Sequence, residues 1–168
     1  MLGRTGPVVA QTVGGRPYKE PRMGLQMTAR VTMGSQDTRA SRNQGVVAQM
    51  YADLSRGDGE AVLSTLSETI EWVVAAGLPY GGTYRGREAV LVNVFARFDT
   101  QWDDFAVDPA ELVAVEDVVI ALGHYQGRGR ETGKAMKARF AHAWRFEDGV
   151  PVSFETIADT GIMVAAMS

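Results

Sequence analysis

The feature that most constrains this chain is the run from residue 104 to residue 159. Four long segments, 104–115, 117–128, 134–147 and 150–159, alternate in side-chain character with a period of two, and only turns separate them. That period belongs to a strand, where neighbouring side chains point to opposite faces. Glu116-Asp117 reads as a tight turn, Gly127 to Gly133 as a Gly/Arg-rich hairpin tip, and Glu147-Asp148-Gly149 as a strong hairpin signal. Phe140, His142 and Trp144 share one face of their strand, while Arg139, Ala141, Ala143 and Arg145 share the other. In the strand before it, Val119, Ala121, Gly123 and Tyr125 alternate with Val118, Ile120, Leu122 and His124, so both faces are apolar near its middle. A sheet of that kind needs cover on both sides. Helices cover one; a second copy of the chain is expected on the other, as a homodimer through the open sheet face.

The helical signals come first. Val46, Val47, Met50, Tyr51 and Leu54 mark one helix face; Gly57 ends that helix and Asp58 caps the next, which carries Val62, Leu63 and Leu66. A strand follows over 70–74, around Trp72. The Gly-rich loop Pro79 to Gly86 then opens a third helix over 87–101, with the stripe Val90, Leu91, Val94, Phe95 and Phe98. Helices first and a long sheet last is an α+β order. It predicts three helices packed on a strongly curved, mostly antiparallel sheet, a cone with an aromatic interior and one buried imidazole.

Residues 1–44 carry seven basic and two acidic residues, a net of +5, and show no sustained period. They read as a poorly ordered tail without catalytic consequence. An organellar transit peptide, or an upstream start with Met23, Met27 and Met33 in frame, are the other readings. Residues 45–168 form the expected domain, and with ten basic and eighteen acidic residues its net of −8 disfavours nucleic acid as a partner. The chain has no cysteine, which excludes disulfides and thiolate metal sites. Without an apolar run near 18 residues no membrane span is expected, and a cytoplasmic location is.

The segments Met50-Tyr51-Ala52-Asp53-Leu54 with Gly57-Asp58, Leu78 to Gly86, Tyr125 to Arg128, and His142 to Gly149 together resemble the nuclear-transport-factor-2-like (NTF2-like) superfamily, and within it the SnoaL-like and ketosteroid-isomerase-like proteins. The resemblance covers about 45–168. It implies a curved sheet wrapped around helices, a conical pocket and a homodimer. A ketosteroid isomerase uses a carboxylate base with a Tyr and a protonated Asp as donors. Here the Tyr position falls on Met50, with Tyr51 one residue off; the base position falls on Val74, and the second donor on His142. Valine cannot abstract a proton, so that reaction is not expected. Polyketide-cyclase relatives place an acid on the last strand, where the pocket-facing positions are Val152, Phe154 and Thr156.

His142 is the best single candidate for chemistry, since imidazole can act as acid, base or donor. Three roles stay open: a core histidine bonded to a Tyr hydroxyl or a carbonyl, a pocket donor, and a general acid or base. Desolvation among Trp72, Phe140 and Trp144 should favour its neutral form. Asp159 is the second catalytic candidate, by orienting a base, with helix capping as the alternative. The expected ligand wall is Met50, Tyr51, Trp72, Val74, Tyr80 and Tyr84 from the first half. Phe95, Phe98, Trp102 and Val119 follow, then Tyr125, Phe140, His142, Trp144, Phe154 and Thr156. No metal or cofactor is expected, because His124 points away from His142. The partner read from this wall is a small apolar ligand. An acid–base enzyme (isomerase, cyclase, dehydratase or hydrolase), a non-catalytic binding domain and a protein-interaction module of the same fold all remain open.

Overall fold

The computed structural model describes residues 38–168. Most of the expected tail, residues 1–37, lies outside them. The element order is α1 (Thr38–Ser55), α2 (Gly59–Thr65), β1 (Glu71–Val74), β2 (Gly82–Arg85), α3 (Arg87–Val90), a π-helical turn (Leu91–Phe95), α4 (Ala96–Gln101), β3 (Trp102–Val115), β4 (Val118–Gly129), β5 (Ala135–Glu147), β6 (Val150–Ala158) and α5 (Thr160–Met167). This is the expected α+β fold. The six strands form one sheet in the order β2-β1-β6-β5-β4-β3.

Strands β3 to β6 make an antiparallel meander, whose bounds agree with the alternation to within two residues at each end. The Asp148-Gly149 hairpin turns with both residues at positive φ, 49° and 81°, the geometry a two-residue turn needs. Gly123 serves a different purpose. Its strand neighbours come so close that an added Cβ would lie 2.2 Å from the Asp108 carbonyl oxygen and 2.7 Å from the Phe140 ring, so only glycine lets that ring lie flat against the sheet. β1 joins the far side of the sheet parallel to β6, with Trp72 beside Phe154.

Three local expectations are corrected. Helix α1 starts at Thr38, so residues 38–44 belong to it rather than to a tail. Its early turns bury Ala40 and Asn43, and Asn43 Nδ2 and Gln44 Nε2 donate to the Glu116 and Leu112 carbonyls at 3.3 and 2.9 Å. The Gly-rich loop contains a strand, β2, paired antiparallel with β1. The third helix is broken by the π-turn; the extra residue rotates Leu91 off the apolar stripe, and it is 48% exposed. Beyond the last strand, the C-terminal segment forms a helix, α5, which buries Met163 and Ala166.

The two faces of the sheet differ sharply. On the concave face Val119, Ala121, Tyr125, Phe140, His142 and Trp144 are buried. On the convex face Val118, Ile120, Leu122, Ala141 and Ala143 are only partly covered, and Val113, Val115 and Ile157 are 45%, 65% and 63% exposed. Among the described residues no helix is long and apolar enough to cross a membrane.

Candidate functional site

The concave face, α1, β1 and the π-turn enclose a narrow apolar cavity. α1 contributes Met50 and Tyr51, β1 contributes Trp72 and Val74, and the loop before β2 contributes Tyr80. Phe95 and Phe98 close the helical side; Tyr125, His142, Trp144, Phe154 and Thr156 form the strand side. The cavity volume is about 60 Å³, below the usual range of small-molecule sites. The rings brace one another: Trp72 stacks on Phe154 at 3.9 Å between centroids and meets Trp144 edge-on at 5.6 Å. Such contacts keep a hollow open because each ring already has partners on its flank.

The polar end of the cavity is built on His142, which is 3% exposed. Its ring stacks on Phe140, 3.8 Å between centroids with planes 10° apart. Both ring nitrogens are engaged. Tyr51 Oη lies 2.7 Å from Nδ1 and Tyr125 Oη lies 2.5 Å from Nε2. Trp144 donates its Nε1–H to Tyr51 Oη at 3.2 Å, and Tyr125 Oη lies 3.0 Å from Thr156 Oγ1. Burial pushes the imidazole down to about 3, so it is neutral at ordinary pH. Burial also holds both phenols above their usual value. The whole group is therefore uncharged. His142 reaches phenols and no carboxylate among the described residues, the core-histidine arrangement named above. To act as a general base it would have to break one of its tyrosine bonds.

Of the expected wall, Tyr84, Trp102, Val119 and Phe140 lie elsewhere. Tyr84 donates its hydroxyl to the Tyr80 carbonyl at 2.7 Å and so staples the loop, with its ring outside the cavity. Trp102 is buried and lines a wider outer cleft with Asp99, Asp103, Asp104, Arg128 and Arg130 at its rim. Val119 is fully buried beneath the wall, and Phe140 backs His142 rather than facing the hollow. Asp159 is exposed and accepts from the Ile162 amide at 3.3 Å, so it caps α5 and takes no part in the site. Tyr51, rather than Met50, supplies the hydroxyl on α1.

The sequence reading missed Leu54, Val62, Leu78, Val94, Phe105, Val107 and Met163 in the wall. For Phe105 and Val107 the signal was present: they alternate with exposed Asp104, Ala106 and Asp108 on β3. Five residues, Leu54, Phe95, Phe98, Phe105 and Val107, line both the inner cavity and the outer cleft and so form the neck between them. Among the described residues no group of three or more His, Asp or Glu is placed to hold a metal ion.

Comparison with curated proteins gave no match. Solved structures gave many. An NTF2-like protein from Burkholderia thailandensis is 37% identical over 75% of this chain and 97% of its own, with a TM-score of 0.73. An NTF2-like protein of unknown function from Burkholderia pseudomallei is 28% identical over 76% of this chain and 98% of its own, with a TM-score of 0.71. TerC, crystallised with polyporic acid, is 25% identical over 75% of this chain and 98% of its own, with a TM-score of 0.69. The SnoaL-like domain family matches residues 47–153, a span that holds α2, the π-turn, β1 to β5 and every member of the hydrogen-bonded group except Thr156. With the fold, the cavity and these matches in agreement, the chain belongs to the SnoaL-like domain family and has the NTF2-like fold.

Proposed function

We propose that this domain binds a small, largely apolar molecule in the concave cavity, with the neutral group around His142 orienting it. The observation that carries this reading is the braced aromatic wall that ends in one cluster of hydroxyl, indole and imidazole groups. TerC's crystallisation with polyporic acid supports a small-molecule role for the same fold. Proton abstraction of the steroid-isomerase kind gains no support: Val74 stands in the wall where the resemblance puts the base. The convex face, with its exposed Val115 and Ile157, supports a homodimer.

Trp72 and Trp144 line the cavity, so tryptophan fluorescence reports on it. Titration with polyporic acid and with acetophenone should give saturable quenching. Val74→Phe, which fills the hollow, should abolish it while leaving the circular dichroism spectrum intact. No saturable quenching by either compound, or equal quenching in Val74→Phe, would overturn the reading.

A further inference from the structure

Trp144, Tyr51, His142, Tyr125 and Thr156 bring five polar protons to four hydrogen bonds. One proton is always left over, and it falls on one hydroxyl or another as the tautomer of the ring changes. No single hydroxyl of that group is therefore bound to offer it. Tyr80 stands outside the group. It lines the cavity and is only 8% exposed, yet its hydroxyl has no hydrogen-bond partner among the described residues. The turn that carries it is held at three points. The Leu78 and Gly81 amides donate to the Ala75 and Leu78 carbonyls at 3.1 and 2.9 Å, and Tyr84 Oη donates to the Tyr80 carbonyl at 2.7 Å. The backbone of Tyr80 is thus fixed before a ligand arrives. Burial is the main reason the Tyr125 phenol lies above its usual value, and the Tyr80 phenol adds to the rise, so the two hydroxyls face a common interior. Burial also holds the Tyr80 phenol above its usual value, while the Trp102 indole N–H and the Arg97 charge oppose it. That N–H is buried and completes no hydrogen bond. It favours the Tyr80 oxygen as an acceptor and leaves the phenol proton for the cavity.

We infer that Tyr80 is the residue that selects the ligand, its hydroxyl donating to a neutral carbonyl oxygen at one end of an otherwise apolar molecule, an assignment that rests on the binding reading above. No Lys or Arg lines the hollow, so an anionic oxygen would be buried there without a countercharge. Arg97, whose charge is felt at Tyr80, is exposed and stands outside the wall. A carbonyl only accepts, whereas a ligand hydroxyl would bring another proton into a wall that already holds one too many. The hollow of about 60 Å³ takes the carbonyl-bearing end alone. The rest of the molecule lies along the neck of Leu54, Phe95, Phe98, Phe105 and Val107 toward the outer cleft.

The probes are acetophenone and ethylbenzene, which differ at the carbonyl, each titrated into the full chain. Tyr80→Phe keeps the ring and removes the hydroxyl. It should weaken acetophenone by about tenfold, the cost of one buried hydrogen bond, and leave ethylbenzene within about twofold. Equal losses for both probes, or none for either, would overturn the assignment. So would a loss of acetophenone alone in Thr156→Val but not in Tyr80→Phe, since the donor would then belong to the His142 group. The infrared carbonyl stretch of acetophenone bound to the wild-type chain needs no variant. It should lie below its value in hexane, as that of a hydrogen-bonded carbonyl does, and return toward that value in Tyr80→Phe. A stretch at the hexane value in the wild-type chain would overturn the assignment even if the variant failed to fold. If neither probe binds the wild-type chain, the cavity reading and the assignment to Tyr80 fail together. If both bind and Tyr80→Phe treats them alike, the cavity reading stands and only the assignment fails.

Discussion

The two faces of β4 and β5 share one backbone and are specified in opposite ways. On the concave side Tyr125, Phe140, His142 and Trp144 each have a ring partner, and every one of them but Phe140 has a hydrogen-bond partner. On the convex side Ile120, Leu122, Ala141 and Ala143 are small aliphatic groups that make no side-chain hydrogen bond. The concave face is specific because its polar groups must find each other in the absence of water. The convex face is merely sticky, and its shape follows the pleat. The same period of two therefore encodes a built site on one side and a surface for burial on the other.

That contrast is broken most severely from the inside. Phe140→Ala removes the ring that supports His142 and leaves a hole against Gly123. It should destabilise the fold by about 3–5 kcal/mol, read from the midpoint of a denaturant titration. An effect under about 1 kcal/mol would mean that the concave face is no better packed than the convex one. Ile120→Asp tests the other side. If the convex face is a subunit interface, the charge is buried without a partner at a cost of about 3–5 kcal/mol per interface, and light scattering should show monomer at micromolar concentration. An unchanged mass would count against the dimer.

A smaller effect comes from pH. The unfolded chain's His142 binds a proton below about 6.5, whereas the folded one does so only near 3. Between those values the unfolded state holds more protons, so stability falls as pH drops through this window. Between pH 7 and pH 5 the loss should be about 2 kcal/mol, and His142→Gln should remove most of it. The phenols act at the other end. Tyr51 and Tyr125 have folded values above the ordinary 10.0, so stability should fall again as pH rises past 10. The smallest change is expected for Ile157→Ala, about 0.5 kcal/mol or less in a monomer because Ile157 is already 63% exposed. A larger loss that grows with protein concentration would show the convex face to be covered by another copy.

The concave face was the most legible part of the sequence, because β4 and β5 are long and their alternation is unbroken. What escaped had physical reasons. The start of α1 was hidden because its buried stripe, Ala40, Asn43, Val47 and Met50, begins with a small residue and a polar one. Asn43 is buried on account of its hydrogen bond to β3's end turn, which no hydropathy pattern reports. Leu91 was placed on the wrong side because a π-turn adds a residue without leaving a mark in the sequence. Tyr84 was read as facing the ligand, although its hydroxyl has a carbonyl partner four residues back. The pairing of His142 with Tyr51 joins residues remote in the chain. Only the register of β5 against α1 reveals it. The resemblance to the family put both residues near the pocket, but it offset the tyrosine by one position.

The parallel pairing of β1 with β6 bears on the order in which the molecule assembles. β3 to β6 are joined by short turns, and their contacts close small loops at low entropic cost. β1 meets β6 only after Glu71 finds Ser153, 82 residues further along the chain. The meander is thus expected to zip early and the β1 strand to dock late, bringing Trp72 and Val74 with it. Refolding followed by stopped flow would then show two events in sequence, strand formation first and burial of the Trp72 indole second. The wall of the hollow is therefore expected to be complete only when that last strand arrives.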